Sequence, residues 1–250
     1  MMHSILIIGQ SNMGGRGFKE EVEPIENDKL YVLRNGRWRA MYVPVNPDRV
    51  TSGINLSESF ADLYAKDHGV DVGIIPCADG GTCLDQWQVG GLLFDHACYM
   101  AELASRTSTI AAVLWHQGES DCNDERYPFY EEKCTVIMDA FRKKLGLYDV
   151  PFLLGGLGDY LEFCPYSDEF KNYVHINKSL QNIAQKNAMT AFVRADGLKS
   201  NPDYLHFSAE ALREFGVRYY NEFKKIEDKN KVFEEKCTVD QAIRNNIESL

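Results

Sequence analysis

Short apolar runs of strand length alternate with amphipathic segments of helical period along this chain, and that alternation constrains its fold most. The runs are Ile5 to Ile8, Val70 to Pro76, Ile110 to Trp115, Pro151 to Leu154 and Met189 to Val193, several of them rich in Val and Ile. Between them, mainly apolar residues recur at spacings of three and four: Leu56, Phe60, Leu63 and Tyr64; Leu93, Ala97, Met100 and Ala104; Tyr130, Cys134, Ile137, Met138 and Phe141; and, after the polar Asn177, Leu180, Ile183 and Ala184. Each set puts a mainly apolar stripe on one helix face. Ser208 has the side chain of an N-cap and opens a last helix carrying Ala209, Leu212, Tyr219 and Phe223. Strand and helix in alternation predict an α/β fold with a five-stranded, mainly parallel sheet covered on both faces.

The 250 residues, 44% of them hydrophobic, suffice for one large domain, expected over residues 1–226. The 37 acidic against 27 basic residues give a net charge of -10, which disfavours nucleic acid and anionic membranes as partners. No apolar run approaches the roughly 20 residues of a membrane span. The seven cysteines lack a zinc spacing and read as reduced thiols in the core. The amino-terminal residues run straight into an apolar segment without the features of a signal peptide, which predicts a cytoplasmic protein. Glu20 to Asn55 has charges and prolines but no clear period, and is expected to form loops beside the site. The tail, 227–250, has enough apolar residues for a helix packed on the domain surface, and its charge favours a solvated end with no role in chemistry.

Four polar blocks fall at the carboxyl ends of predicted strands, where open parallel sheets bind ligands. The first is Gly9-Gln10-Ser11-Asn12-Met13-Gly14-Gly15. It has the glycine spacing of a phosphate loop, but Gly15 and Arg16 stand where that motif requires Lys and Ser or Thr, and no dinucleotide fingerprint is present. Ser11 is therefore a candidate nucleophile that needs partners. Asp203-Tyr204-Leu205-His206 supplies them: a histidine oriented by a carboxylate activates a serine hydroxyl near neutral pH. In Trp115-His116-Gln117-Gly118-Glu119-Ser120-Asp121, the Gln117 amide is suited to stabilising an oxyanion. His116 fits a buried position as well as a functional one. Glu119 and Asp121 invite a glycosidase reading, but that chemistry needs a set separation across a sugar. In Asp79-Gly80-Gly81-Thr82 a backbone N–H offers a further oxyanion contact. Trp87 is a candidate pocket wall, and Arg16 either holds substrate or ties down its loop.

These four ordered blocks, over roughly residues 4 to 223, resemble the sialate O-acetylesterase and acetylxylan esterase branch of the SGNH (GDSL-like) hydrolases. The resemblance implies a three-layer α/β/α, flavodoxin-like fold, hydrolysis of acetyl esters on carbohydrates through an acetyl-serine, and neither metal nor organic cofactor. It assigns Ser11 as nucleophile, His206 as base and Asp203 as acid. The oxyanion hole falls to Ser11, Gly81 or Gly80, and Gln117, which stands where the wider superfamily has asparagine. Gln10, Asn12, Arg16, Glu119 and Trp87 are candidates for support or substrate contact, Glu119 as a second orienter of His206. The implied partner is an acetylated sugar or oligosaccharide, imported if the enzyme is cytoplasmic. Two rivals share the pattern: an esterase or acyltransferase for lipids or other acyl esters, and a carbohydrate-binding protein without turnover.

Overall fold

The computed structural model describes the backbone of residues 2–248 and the side chains of residues 2–230. The elements are β1 (Met2–Gly9), α1 (Ser11–Gly14), β2 (Leu30–Arg34), β3 (Arg37–Ala40), α2 (Leu56–His68), β4 (Val72–Pro76) and α3 (Leu92–Ala104). They are followed by β5 (Ser108–His116), α4 (Tyr130–Leu145), β6 (Phe152–Gly155), α5 (Ser167–Phe170), α6 (Tyr173–Lys186), β7 (Thr190–Val193) and α7 (Ala209–Glu248). One sheet runs in the order β3-β2-β4-β1-β5-β6-β7, parallel throughout except where β3 pairs with β2. The five apolar runs become β1, β4, β5, β6 and β7, and their order is that of doubly wound flavodoxin-like sheets.

The sheet has seven strands where five were expected, because the segment 20–55 contributes a hairpin as well as loops. Asn35 and Gly36 turn it with φ of 49° and 72°, both in the left-handed region that such two-residue turns require. The flanking residues hide the strands. In β3, Arg37, Arg39 and Ala40 are exposed, so an edge strand guarded by charge leaves no alternating pattern.

Ile5, Leu6, Ile7 and Ile8 are fully buried, as expected of a central strand covered on both faces. On one face α2 packs against α7, and on the other α3, α4 and α6 pack side by side. The start of α2 is fixed by a capping box: Asn55 Oδ1 accepts from the Ser57 N–H at 2.7 Å and Glu58 Oε1 from the Asn55 N–H at 2.8 Å. The Asn55 amide also donates to the Met13 carbonyl, tying this helix end to the turn after β1. Ser208 caps α7 through the Ala211 N–H at 3.2 Å. Helix α7 runs without a break through 226–227, and the packing of side chains 231–250, where the surface helix was expected, lies outside the described residues. Cys77, Cys83, Cys98, Cys122, Cys134 and Cys164 are buried free thiols, and Cys237 lies outside the described side chains. Among the described residues, no helix is long and apolar enough to cross a membrane.

Candidate active site

Ser11 stands at a sharp strand-to-helix turn that its neighbours enforce. Gly9 ends β1 with φ +134°, and a Cβ there would lie 2.0 Å from the His116 carbonyl oxygen of β5. Only glycine fits such an approach. The Gln10 N–H donates to that same oxygen at 2.9 Å, after which the chain enters α1. Ser11 is the first residue of that helical turn, so its N–H precedes the intrahelical ladder and has no partner among the described residues.

His206 reaches the serine from the loop between β7 and α7. His206 Nε2 lies 3.0 Å from Ser11 Oγ, and Nδ1 lies 2.7 Å from Asp203 Oδ2. The other carboxylate oxygen of Asp203 accepts the N–H groups of Leu205 and His206, each at 3.0 Å. Partial burial alone would raise the Asp203 carboxyl, but the His206 ring and these two N–H donors hold it down to about 2. The three side chains assigned from the two sequence blocks thus form one hydrogen-bonded line.

Asn12 binds this line to the third block. Its Nδ2 donates to Glu119 Oε1 at 2.6 Å and to the Leu205 carbonyl at 3.1 Å, while its Oδ1 accepts the Phe207 N–H at 3.1 Å. The residues on either side of His206 are therefore both held by Asn12. Glu119, expected as a second orienter of His206, bonds instead to Asn12 and, at 3.1 Å, to His116 Nε2. Burial would push its carboxyl up, but the electrostatic pull of His116 and the hydrogen bonds of His116 and Asn12 bring it below the usual value. His116 is fully buried, edge-on to Phe207 and Phe215.

The glycine block reaches the serine from β4. The Asp79 N–H donates to the Gly9 carbonyl at 3.0 Å. The Gly80 N–H is committed to Asp48 Oδ2 at 2.8 Å, whereas the Gly81 N–H has no partner among the described residues. Gly81 has φ +77° and open space where a Cβ would point. Asp48 is a hub that sequence reasoning missed. It also accepts Arg16 Nη2 at 2.6 Å and Nη1 at 3.1 Å, and Ser52 Oγ at 2.9 Å. Burial opposes its ionisation, yet Arg16 and these donors hold it below the usual carboxylate range. Asn46, from the same segment, bridges both backbone groups of Ala78. Arg16 is thus engaged in a buried pair that fixes the block.

Gln117 is displaced from its expected role by position. It is fully buried, and its amide nitrogen donates to Asp121 Oδ2, the Thr82 carbonyl and Gln10 Oε1. One layer above, Gln10 Oε1 also accepts the N–H groups of Gly118 and Ser120, each at 3.3 Å. With its oxygen fixed inward, Gln10 lines the cleft, and its Nε2 has no partner among the described residues. Trp87 is likewise buried, donating to Thr82 Oγ1 at 3.0 Å and meeting Trp115 edge-on. It braces the glycine block from beneath.

The family of carbohydrate esterases described as sialic acid-specific acetylesterases matches residues 1–225. The chain belongs to this family. Membership makes it a carbohydrate esterase. A probable carbohydrate esterase of Arabidopsis thaliana is 27% identical over 238 residues, covering 85% of this chain and 86% of the relative. Among solved structures, an Arabidopsis thaliana protein superposes with a TM-score of 0.79 at 24% identity, covering 89% of this chain and 98% of its own. NanS superposes at 0.70 with 16% identity, covering 91% and 98% of the two chains. These structural likenesses show that the fold is shared.

In the esterase, Ser11, Gln10, Gly80, Gly81, Arg16, Arg49, Glu119, Ser120, Phe170, Leu205 and His206 line a cleft of about 330 Å³. A larger groove of about 670 Å³, between α6, β7 and α7, has no serine or histidine among its lining residues. Among the described residues, Asp67, His68 and Glu227 lie close enough to share an ion, but Lys224 Nζ already sits 2.9 Å from Asp67 and 2.7 Å from Glu227.

Proposed function

We propose that this chain removes O-acetyl groups from carbohydrates through an acetyl-serine intermediate. The observation that carries the reading is the line Ser11 Oγ, His206 and Asp203, at 3.0 and 2.7 Å, opening on a cleft where two backbone N–H groups are unpaired. Ser11 Oγ attacks the acetyl carbonyl as His206 Nε2 takes its proton, and Asp203 stabilises the imidazolium. The oxyanion is held by the N–H groups of Ser11 and Gly81 and by the Gln10 amide, which replaces Gln117 as the side-chain donor. Collapse breaks the ester C–O bond, passes the proton from His206 to the departing sugar oxygen and leaves acetyl-Ser11. Water, losing a proton to His206, attacks the acetyl carbonyl, and Ser11 Oγ departs with that proton as acetic acid is released and ionises to acetate.

A cleft of only about 330 Å³ lies near the lower end of small-molecule pockets and favours acetyl over long acyl chains. Ser11→Ala tests the mechanism. The expected result is loss of p-nitrophenyl acetate hydrolysis with an unchanged circular dichroism spectrum and melting point; full activity in that variant overturns it. An acetate-release screen over acetylated xylan oligomers, sialic acids and simple acetylated sugars identifies the substrate, and a matched series of acetyl and long-chain nitrophenyl esters checks the acyl preference.

A further inference from the structure

Next to Leu205, which lines the cleft, stand two exposed aromatic rings that the reaction outlined above does not use. Phe163 is 69% exposed and Tyr204 43% exposed, where rings of this size are ordinarily buried. Their centroids lie 6.3 Å apart with planes at 59°. Tyr204 is set between Asp203 and His206 with φ +50°, a backbone conformation rare for a bulky residue. Its N–H is held by the Asn201 carbonyl at 3.1 Å, so the loop that fixes the base also fixes this ring outward. Phe163 is fixed from below: Tyr160 Oη donates to the Leu205 carbonyl at 3.4 Å, and Cys164 Sγ lies 3.8 Å from the Asp203 carbonyl. Tyr204 adjoins Leu205 in the chain, and Leu205 and Phe170 are the apolar side chains of the cleft, which Arg49, donating to Asp79 and Gly80, also lines.

We propose that Phe163 and Tyr204 form a stacking subsite for the sugar ring next to the acetylated one, so that the substrate is an acetylated oligosaccharide and not a free monosaccharide. This rests on the carbohydrate acetylesterase reading above. A pyranose ring presents a face of C–H groups that packs on the electron-rich face of an aromatic ring, with its hydroxyls around the edge left to water or polar side chains. Tyr204 is two residues from His206, so its Cα lies within about 7 Å of that of the base. Its ring, turned to solvent, is placed for the neighbour of the sugar whose ester meets Ser11. No charge is called for at this subsite, which suits a neutral sugar.

The test compares wild type, Phe163→Ala, Tyr204→Ala and the conservative Phe163→Tyr on p-nitrophenyl acetate and two matched pairs. The pairs are acetylated xylose with acetylated xylotriose, and O-acetylated sialic acid with its O-acetylated sialyllactose. Wild type is expected to favour the longer member of the pair it accepts. Each alanine variant should lower the kcat/KM ratio of longer to shorter substrate by about three- to tenfold, through KM, with Phe163→Tyr restoring it. Phe163 lies outside the triad loop, so its variant separates stacking from any disturbance of His206. The subsite is refuted if wild type prefers the free sugar in both pairs, or if the ratio in Phe163→Ala stays within 1.5-fold of wild type. A dimer seen by sedimentation that Phe163→Ala abolishes also refutes it, since the patch then joins two copies of the chain. Failure of wild type to cleave even p-nitrophenyl acetate refutes the esterase reading itself, a distinct outcome.

Discussion

Replacing Asn12 by Ala separates the triad from the frame that positions it. Asn12 is 1% exposed, so water cannot stand in for its three hydrogen bonds. The losses are unequal. The Leu205 carbonyl keeps Tyr160 Oη, and Glu119 Oε1 keeps His116, but the Phe207 N–H is left with no partner. An orphaned buried N–H costs about 1–3 kcal/mol and a lost bond to a charged carboxylate about 1.5–3 kcal/mol, which together centre on roughly 4 kcal/mol. For a domain of this size that lowers the melting point by about 8–16 °C. Activity should fall further than stability explains, because both neighbours of His206 lose an anchor and a misplacement of about 1 Å can cost about 100-fold in rate. The assay is p-nitrophenyl acetate hydrolysis at least 15 °C below the variant's melting point, beside a thermal melt followed by circular dichroism. A normal kcat with a lowered melting point would mean that the loop 203–206 holds its own shape, and that Asn12 is a packing residue only.

Asp203→Asn should lower kcat by about 10²–10⁴-fold, since the amide cannot stabilise the imidazolium. Because the carboxyl is held near 2, it stays charged at neutral and alkaline pH, so the deficit should be constant from pH 7 to pH 9; a variant that recovers wild-type kcat within that range would contradict this. The same depressed value means that Asp203 contributes stability fully present above pH 4, near its unfolded value, and lost as pH falls toward 2, which acid-unfolding midpoints of wild type and Asp203→Asn would reveal. Asp48→Ala leaves Arg16 as an unpaired charge in a site only 7% exposed and should destabilise the fold by about 3–5 kcal/mol in urea, whereas Arg49→Ala, at a half-exposed rim, should change stability by less than about 1 kcal/mol. Gly9→Ala forces a methyl against the backbone of β5 and should yield little folded protein, measured as soluble expression.

How far the sequence could be read follows from where each signal resides. The five apolar runs and the blocks after them were legible because burial on both faces and the residue types of a triad are local properties. Gln117 shows the limit. Gln10 and Gln117 are both amides just beyond a strand, and only the layering of β5 against β1 decides which faces the cleft and which is spent on Asp121 and Thr82. Trp87 was read as a wall for the same reason, although it lies beneath the loop. Asn46 and Asp48 hold the glycine block from a segment without period, and isolated polar contacts of that kind leave no pattern. The Asn35-Gly36 turn was a usable hairpin signal, masked by an edge strand of arginines.

The central place of β1 bears on how the enzyme comes into being. Both of its partners, β4 and β5, follow it by many residues, so the strand that leads into Ser11 cannot pair until they exist. His206 is later still, 195 residues beyond the serine it meets. Pairings this distant in sequence are slow and come late, as the loops that close them lengthen. During synthesis the turn at Ser11 is therefore made long before its hydrogen-bond partners, and the line Ser11, His206 and Asp203 closes only after β4 to β7 have been made.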